Sequence, residues 1–322
     1  MTSLAGRRMC ILSGRTHPGL AKAVSKELGI KLCEVELGNF ANGETSVRIS
    51  QSIRGSDVFI LQTHAGNVND AIMEQAIMID AAKRASAASI TAVCPFLGYA
   101  RQDRKSAARE PITARLVVDL LDVAGADRIM CIDLHSGQTQ GFFNGQFDHI
   151  IARPILVKYL DKRFKNKDDL VIVSPDAGRV KSAERYSSAL NCPIAIIHKQ
   201  RSLNVRNKSE AKYLFGDVKN KICVVIDDMI DTAGTVCSAA EILTENGAKE
   251  VYVIATHGVL SDPANARIDE SPIKEVIVTN TLPERANHSK KIVTLSIAPL
   301  LAGAIDAVFR DHSLSDILHK KN

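Results

Sequence analysis

The chain has 322 residues, 45% of them hydrophobic, which suits two domains of ordinary size with buried cores and excludes a disordered protein. Aromatic residues make up 4%, with no Trp, which argues against a stacking platform for single-stranded nucleic acid. The net charge of +5 is scattered apart from basic stretches at 101–109 and 199–212, and two local basic loops suit a small polyanion better than a duplex.

In chain order, short apolar runs at 58–61, 90–94, 129–132, 170–173, 222–226, 251–255 and 275–278 read as strands. Near-continuous apolarity over four or five residues predicts strands buried on both faces, hence parallel sheets covered by helices. Between them Ile72, Met73, Ala76, Ile77 and Ile79 recur at helical spacing, as do Ala239, Ile242 and Leu243. Strand, helix and strand in succession predict an α/β fold with right-handed crossovers. One strand–helix–strand unit starts at 58 and a similar one at 222, about one domain length later. The expectation is two tandem domains, 1–150 and 151–322.

The seven cysteines show no CxxC pair or regular spacing, and Cys10, Cys131 and Cys223 sit inside apolar runs. They read as small core residues, with neither a disulfide framework nor a zinc site, in a reducing cytoplasm. The first eight residues lack the apolar stretch of a signal peptide, and no apolar run reaches the 18 residues or so of a membrane span. A cytoplasmic protein with no membrane or nucleic-acid partner is expected.

In open α/β sheets ligands bind beyond the carboxyl ends of the strands. The segments at 95–104, 133–136, 174–179, 227–235 and 256–261 are therefore the ones to read. The densest is Asp227-Asp228-Met229-Ile230-Asp231-Thr232-Ala233-Gly234-Thr235, where an apolar strand ends in carboxylates and a short loop opens a helix. Free N–H groups at a helix start favour a phosphate. Gly234 allows close approach, Thr232 and Thr235 offer hydroxyls, and Asp227 and Asp228 suit the hydroxyls of a sugar.

This segment resembles the ribose-phosphate signature of type I phosphoribosyltransferase folds. With the remaining motifs the chain resembles the ribose-phosphate pyrophosphokinase family, collinearly from about Met9 to Phe309. Those motifs are Phe40-Ala41-Asn42-Gly43-Glu44, Tyr99-Ala100-Arg101-Gln102-Asp103-Arg104, Asp133-Leu134-His135, Gln140-Gly141-Phe142-Phe143, Ser174-Pro175-Asp176-Ala177-Gly178 and His198-Lys199. The resemblance implies two type I phosphoribosyltransferase-like domains, each a mostly parallel sheet flanked by helices. It implies transfer of the pyrophosphoryl group of ATP to ribose 5-phosphate, with Mg²⁺ as cofactor. The first domain would carry ATP and regulatory contacts, the second the ribose 5-phosphate site and the catalytic loop.

Carried over residue by residue, Phe40, Asn42, Gly43 and Glu44 would read the adenine, and Arg101 and Gln102 would contact the nucleotide. Asn42-Gly43 equally reads as a hairpin turn. His135 and Asp176 would contact the metal. Lys199 would be the catalytic lysine at the head of a mobile loop, with Arg201 a ribose 5-phosphate and transition-state contact. Asp227, Asp228, Asp231, Thr232, Ala233, Gly234 and Thr235 would hold ribose 5-phosphate. Ser52 and Arg54 would bind phosphate or ADP as effectors. The ATP site would need a neighbouring subunit in a homo-oligomer, by resemblance a hexamer.

The sequence departs from the family pattern at Gly98, where proline is usual, at Ala107 and Ala108, which replace polar residues, and at Ala233, which replaces a frequent glycine. Three other readings compete. A phosphoribosyltransferase would need neither the Phe40 nor the Tyr99 segment. A non-catalytic homologue would not need Lys199, Arg201, His135 and Asp176. A DNA-binding sensor of phosphoribosyl pyrophosphate would need a further DNA-reading module.

Overall fold

The computed structural model describes residues 3–4, 6–200, 211–285 and 288–314. Contacts divide the chain into two units: Met1–Ala152 with Thr281–Pro283 and Ser296–Asn322, and Arg153–Asn280 with Glu284–Leu295.

The first unit opens with β1 (Ser3–Leu4), β2 (Arg7–Ser13) and α1 (Pro18–Glu27), followed by the hairpin β3 (Val35–Asn39) and β4 (Thr45–Ile49). It continues through β5 (Ser56–Leu61), α2 (Val68–Arg84), β6 (Ser89–Cys94), α3 (Thr113–Ala124), β7 (Arg128–Ile132) and β8 (Gln146–Ile150). Its six-stranded sheet runs β1-β2-β5-β6-β7-β8, parallel except at the β1–β2 edge. All six residues of β5 are buried, as a strand covered on both faces requires. The apolar face of α2, including Ile72, Met78 and Ile79, joins the same core as Val58, Ile60 and Ile90.

The second unit comprises α4 (Arg153–Arg163), β9 (Leu170–Ser174), α5 (Val180–Leu190), β10 (Ile194–Gln200), β11 (Ala211–Phe215), β12 (Ile222–Ile230), α6 (Gly234–Glu245), β13 (Glu250–Gly258), α7 (Ala264–Glu270), β14 (Ile273–Thr279) and β15 (Ile292–Leu295). Its seven strands run β11-β10-β9-β12-β13-β14-β15, parallel except for the β10–β11 edge. From β9 the chain builds outward to β10 and then returns to the other side of β9 as β12, so the sheet has a switch point between β9 and β12. Ligands of open α/β sheets favour the crevice at such a point. The first sheet is built in one direction from β2 to β8 and has no such reversal.

The last helix, α8 (Ala298–Phe309), corrects the 1–150 and 151–322 division. Its buried face, with Leu301, Ile305 and Phe309, packs on α1, so this helix belongs to the first unit. Cys10, Cys131 and Cys223 are buried core residues as expected, and the expectation of no disulfide is corrected at a single pair. Cys10 of β2 and Cys33 form a disulfide, with Cα atoms 5.9 Å apart, while Cys94, Cys131, Cys192, Cys223 and Cys237 are free and buried. Among the described residues no helix is long and apolar enough to cross a membrane.

Gly98 has a local cause. Its N–H donates to Nδ1 of buried His64 at 3.0 Å, and the other ring nitrogen of His64 meets Gln75 Oε1 at 2.8 Å. A Cβ on Gly98 would lie 2.8 Å from Val68 Cγ1 and 3.0 Å from His64 Cβ. Proline would therefore collide and leave a buried acceptor unpaired. Gly98→Pro is expected to cost about 3 kcal/mol in a urea melt. A loss under about 0.5 kcal/mol, the range of a neutral surface change, would contradict this account.

Candidate functional site

The carboxyl edge of the second sheet gathers the turn after β9 and the turn after β12. Both β12 and β13 are longer than the apolar pattern predicts. Their ladder continues past Ile226↔Ile254 through Asp227↔Ala255 and Met229↔His257 to Ile230↔Gly258. Asp227 and Asp228 therefore lie in a strand and not in a loop, as does the Thr256-His257-Gly258 segment. Backbone pairing continues where apolarity stops.

The turn proper is Asp231-Thr232-Ala233. Ala233 has φ of 60° and ψ of 1°, in the left-handed region, and it directly precedes α6 without a side-chain cap. A left-handed residue at a helix entrance makes a concavity of N–H groups that attracts anions. The first helical bond runs from Cys237 N to Ala233 O. The N–H groups of Gly234, Thr235 and Val236 thus have no partner among the described residues. Alanine in this conformation costs about 1–2 kcal/mol. Its methyl is buried (Ala233 is 4% exposed), which returns about 0.8 kcal/mol. On the outer side Arg267 Nη1 donates to Thr232 O at 2.9 Å and braces the turn. Thr232 and Thr235 are exposed.

Asp227 and Asp228 are 14% and 10% exposed at the side chain, and Arg179 bridges them, Nε to Asp227 Oδ1 at 3.2 Å and Nη2 to Asp228 Oδ1 at 2.6 Å. Burial, then the neighbouring Asp228 charge, push the Asp227 carboxyl up to about 7, while Arg179 pulls it down. Asp176, after β9, caps the short turn Ala177–Arg179. Its Oδ1 accepts the N–H of Gly178 at 2.8 Å and of Arg179 at 3.1 Å, leaving Oδ2 without a protein partner among the described residues. Lys199 lies in β10, its backbone opposite Lys212 of β11. The ladder reaches Gln200↔Ala211, so the expected mobile stretch is strand at both its ends, at 198–200 and at 211–215. The Lys199 side chain, Arg201 and the rest of that stretch fall outside the described residues.

In the first unit the β3–β4 hairpin turns at Asn42-Gly43. Gly43, at φ of 92°, donates its N–H to Phe40 O at 2.9 Å, and Asn42 Oδ1 accepts the Glu44 N–H at 3.2 Å. The turn leaves the Phe40 ring 59% exposed, an unusual cost for a large apolar side chain. Arg101 and Gln102 are exposed, with Gln102 Oε1 accepting from Thr113 Oγ1 at 2.6 Å. After β7 the backbone is pinned to the end of β8. Asp133 Oδ2 accepts the Ala152 N–H at 3.1 Å and His149 Nε2 accepts the Leu134 N–H at 2.9 Å, placing His135 half-buried beyond the strand. Ser52 and Arg54 are exposed on either side of buried Ile53. No group of three or more His, Cys, Asp or Glu that could hold a metal ion occurs among the described residues.

Sequence reading missed Arg179 and Arg267. Arg179 ended a segment marked by its position after a strand, a usable signal. Nothing in the local sequence marks Arg267.

Comparison with known proteins gives the family. A 51% identical relative from Bifidobacterium longum, named ribose-phosphate pyrophosphokinase, aligns over 97% of this chain and 92% of its own length. The chain belongs to the ribose-phosphate pyrophosphokinase family. It is thus an enzyme, and a Streptomyces coelicolor relative of the same name is 49% identical over 98% of the chain and 97% of its own length. Residues 9–125 match the N-terminal domain of ribose phosphate pyrophosphokinase, and residues 202–319 match the phosphoribosyl synthetase-associated domain. The crystal structure of phosphoribosylpyrophosphate synthetase from Mycobacterium smegmatis is 50% identical, with a TM-score of 0.89 over 95% of this chain and 100% of that one.

The raised Asp227 pKa has a testable sign. Between the ordinary carboxyl value of 3.8 and about 7 the folded chain holds a proton that the unfolded chain has released. Stability from this group is therefore lost as pH rises through that window. Asp227→Asn is expected to remove that loss, so that the variant gains on wild type as pH rises from about 4 to about 7. Parallel stability curves over this range would contradict the assignment.

Proposed function

We propose that this enzyme transfers the pyrophosphoryl group of ATP to the anomeric hydroxyl of ribose 5-phosphate, giving 5-phosphoribosyl 1-diphosphate and AMP for nucleotide and amino-acid biosynthesis. The observation that carries the reading is the β12–α6 turn, with N–H groups that have no partner among the described residues beside two clasped carboxylates at a switch point. An anion-binding concavity next to paired acceptors matches a phosphorylated sugar better than either component alone.

In this reading the 5-phosphate accepts the N–H groups of Gly234, Thr235 and Val236 and the hydroxyls of Thr232 and Thr235, within a turn bounded by Asp231 and Ala233. Asp227 and Asp228 accept from the ring hydroxyls. The exposed Phe40 ring offers a face to adenine, with Asn42, Gly43 and Glu44 around it, and Arg101 and Gln102 take the nucleotide phosphates. The anomeric oxygen forms a bond to the β-phosphorus while the bond from that phosphorus to the α-phosphate oxygen breaks. AMP leaves with the electron pair, and the anomeric proton is released. Lys199 and Arg201 neutralise the charge growing on the transferred group, the kind of electrostatic stabilisation that dominates this chemistry.

Asp176 and His135 are the proposed metal contacts, and Asp176 has an oxygen to spare for a hard cation. Mg²⁺ takes few protein ligands and keeps waters and substrate phosphates, so a single carboxylate oxygen such as that of Asp176 would fit it. When bound it would neutralise the polyphosphate. Ser52 and Arg54 are proposed to take phosphate or ADP as effectors. A cytoplasmic homo-oligomer, by resemblance a hexamer, is proposed, and an apolar stripe on and beside α3 supports assembly. Ile112, Leu116 and Val123 are 38%, 65% and 81% exposed there at helical spacing.

The test is to incubate the protein with Mg-ATP and ribose 5-phosphate and follow both products. AMP and phosphoribosyl pyrophosphate are expected in equal amounts, and Lys199→Ala is expected to lower kcat on the order of 10³-fold. Production of ADP would mark an ordinary kinase and overturn the reading, and full turnover by the lysine variant would dismiss the role of Lys199.

A further inference from the structure

The most telling contact outside the proposed substrate ligands is the clasp made by Arg179. Asp227 and Asp228 are consecutive residues of β12, and in an extended strand consecutive side chains turn to opposite faces. One guanidinium nevertheless reaches both, through Nε to one Oδ1 and through Nη2 to the other. Each of those Oδ1 atoms also accepts the N–H of the following residue, Asp228 N–H and Met229 N–H respectively, both at 2.9 Å. Each carboxylate is therefore fixed from two directions.

Arg179 is itself anchored. Its N–H donates to Asp176 Oδ1, and its side chain is only 20% exposed. Without it, two adjacent and largely buried carboxyl groups would face each other with no counter-charge from this contact, and they would separate or hold a proton to a higher pH than they do with it. Either response would spoil a pair of acceptors set for neighbouring hydroxyls. A lysine could supply the charge but not the planar fork that spans two carboxylates.

We propose that Arg179 is a positioning residue for the sugar, its bridge to Asp227 and Asp228 setting both carboxylates for the hydroxyls of ribose 5-phosphate. This inference rests on the function proposed above. It assigns Arg179 to ground-state recognition of the sugar and leaves ATP recognition untouched, because substitution of the side chain leaves the N–H that caps on Asp176 in place.

The experiment is steady-state kinetics on the full chain for Arg179→Met, Arg179→Lys and Asp228→Asn, with the Tm of each. Arg179→Met is expected to raise KM for ribose 5-phosphate about tenfold or more, while KM for ATP and kcat stay within about threefold. Arg179→Lys should recover part of that loss. The proposal is overturned if Asp228→Asn raises KM for ribose 5-phosphate and Arg179→Met does not. It is overturned equally if both KM values and Tm move in step, the signature of a structural role alone. If Asp228→Asn has no effect on KM, the sugar-site reading itself fails and this inference with it. Should the methionine variant not fold, the lysine variant decides, since a selective rise in KM for ribose 5-phosphate is still required of it.

Discussion

Three N–H groups at the head of α6, those of Gly234, Thr235 and Val236, have no acceptor among the described residues, and the left-handed turn at Ala233 gathers them. Every helix leaves such donors at its start, and most proteins satisfy them with a capping side chain or water. Here no side chain caps the helix, while a strained backbone conformation is retained at an alanine. Arg267 holds the outward-facing carbonyl of Thr232, so the turn is braced from behind. The structure thus maintains an anion-seeking concavity at the cost of local strain, a combination that clusters at functional sites.

The topology of the second sheet explains why this concavity sits beside carboxylates. Reversal of strand order between β9 and β12 brings the turn after each strand to one edge. Asp176 caps the first turn, and Arg179 at its end reaches the two acids that close β12. The first unit, whose six-stranded sheet is built without reversal, instead carries exposed polar residues on the separate β3–β4 hairpin and on the loops after β6 and β7. Two strand–helix–strand halves of similar pattern have therefore come to present different surfaces. That difference suits an enzyme of this family, whose name joins a sugar phosphate to pyrophosphoryl transfer.

Much of this was legible in the chain. The seven apolar runs are all strands, because a strand covered on both faces is apolar over most of its length, as the fully buried β9 and the Val58–Leu61 part of β5 are. Strand ends were less legible. Asp227, Asp228, Thr256 and His257 extend β12 and β13 because hydrogen-bonded pairing tolerates polar side chains near a sheet edge. The hairpin was visible only as Asn42-Gly43, since its short strands bury a single face. The packing of α8 on α1 and the reach of Arg179 to β12 depend on contacts between distant positions, which local pattern does not encode. The Gly98 departure rests on its N–H donating to His64, 34 positions earlier in the chain, which local pattern does not encode either.

The central physical claim is that the N–H groups entering α6 receive the phosphate of a phosphorylated sugar. A crystal of the protein grown with ribose 5-phosphate tests it most directly. The account predicts phosphate density against the amides of Gly234, Thr235 and Val236, with the ring hydroxyls on Asp227 and Asp228. Density for the phosphate elsewhere, with this turn left to solvent at saturating sugar, would contradict it.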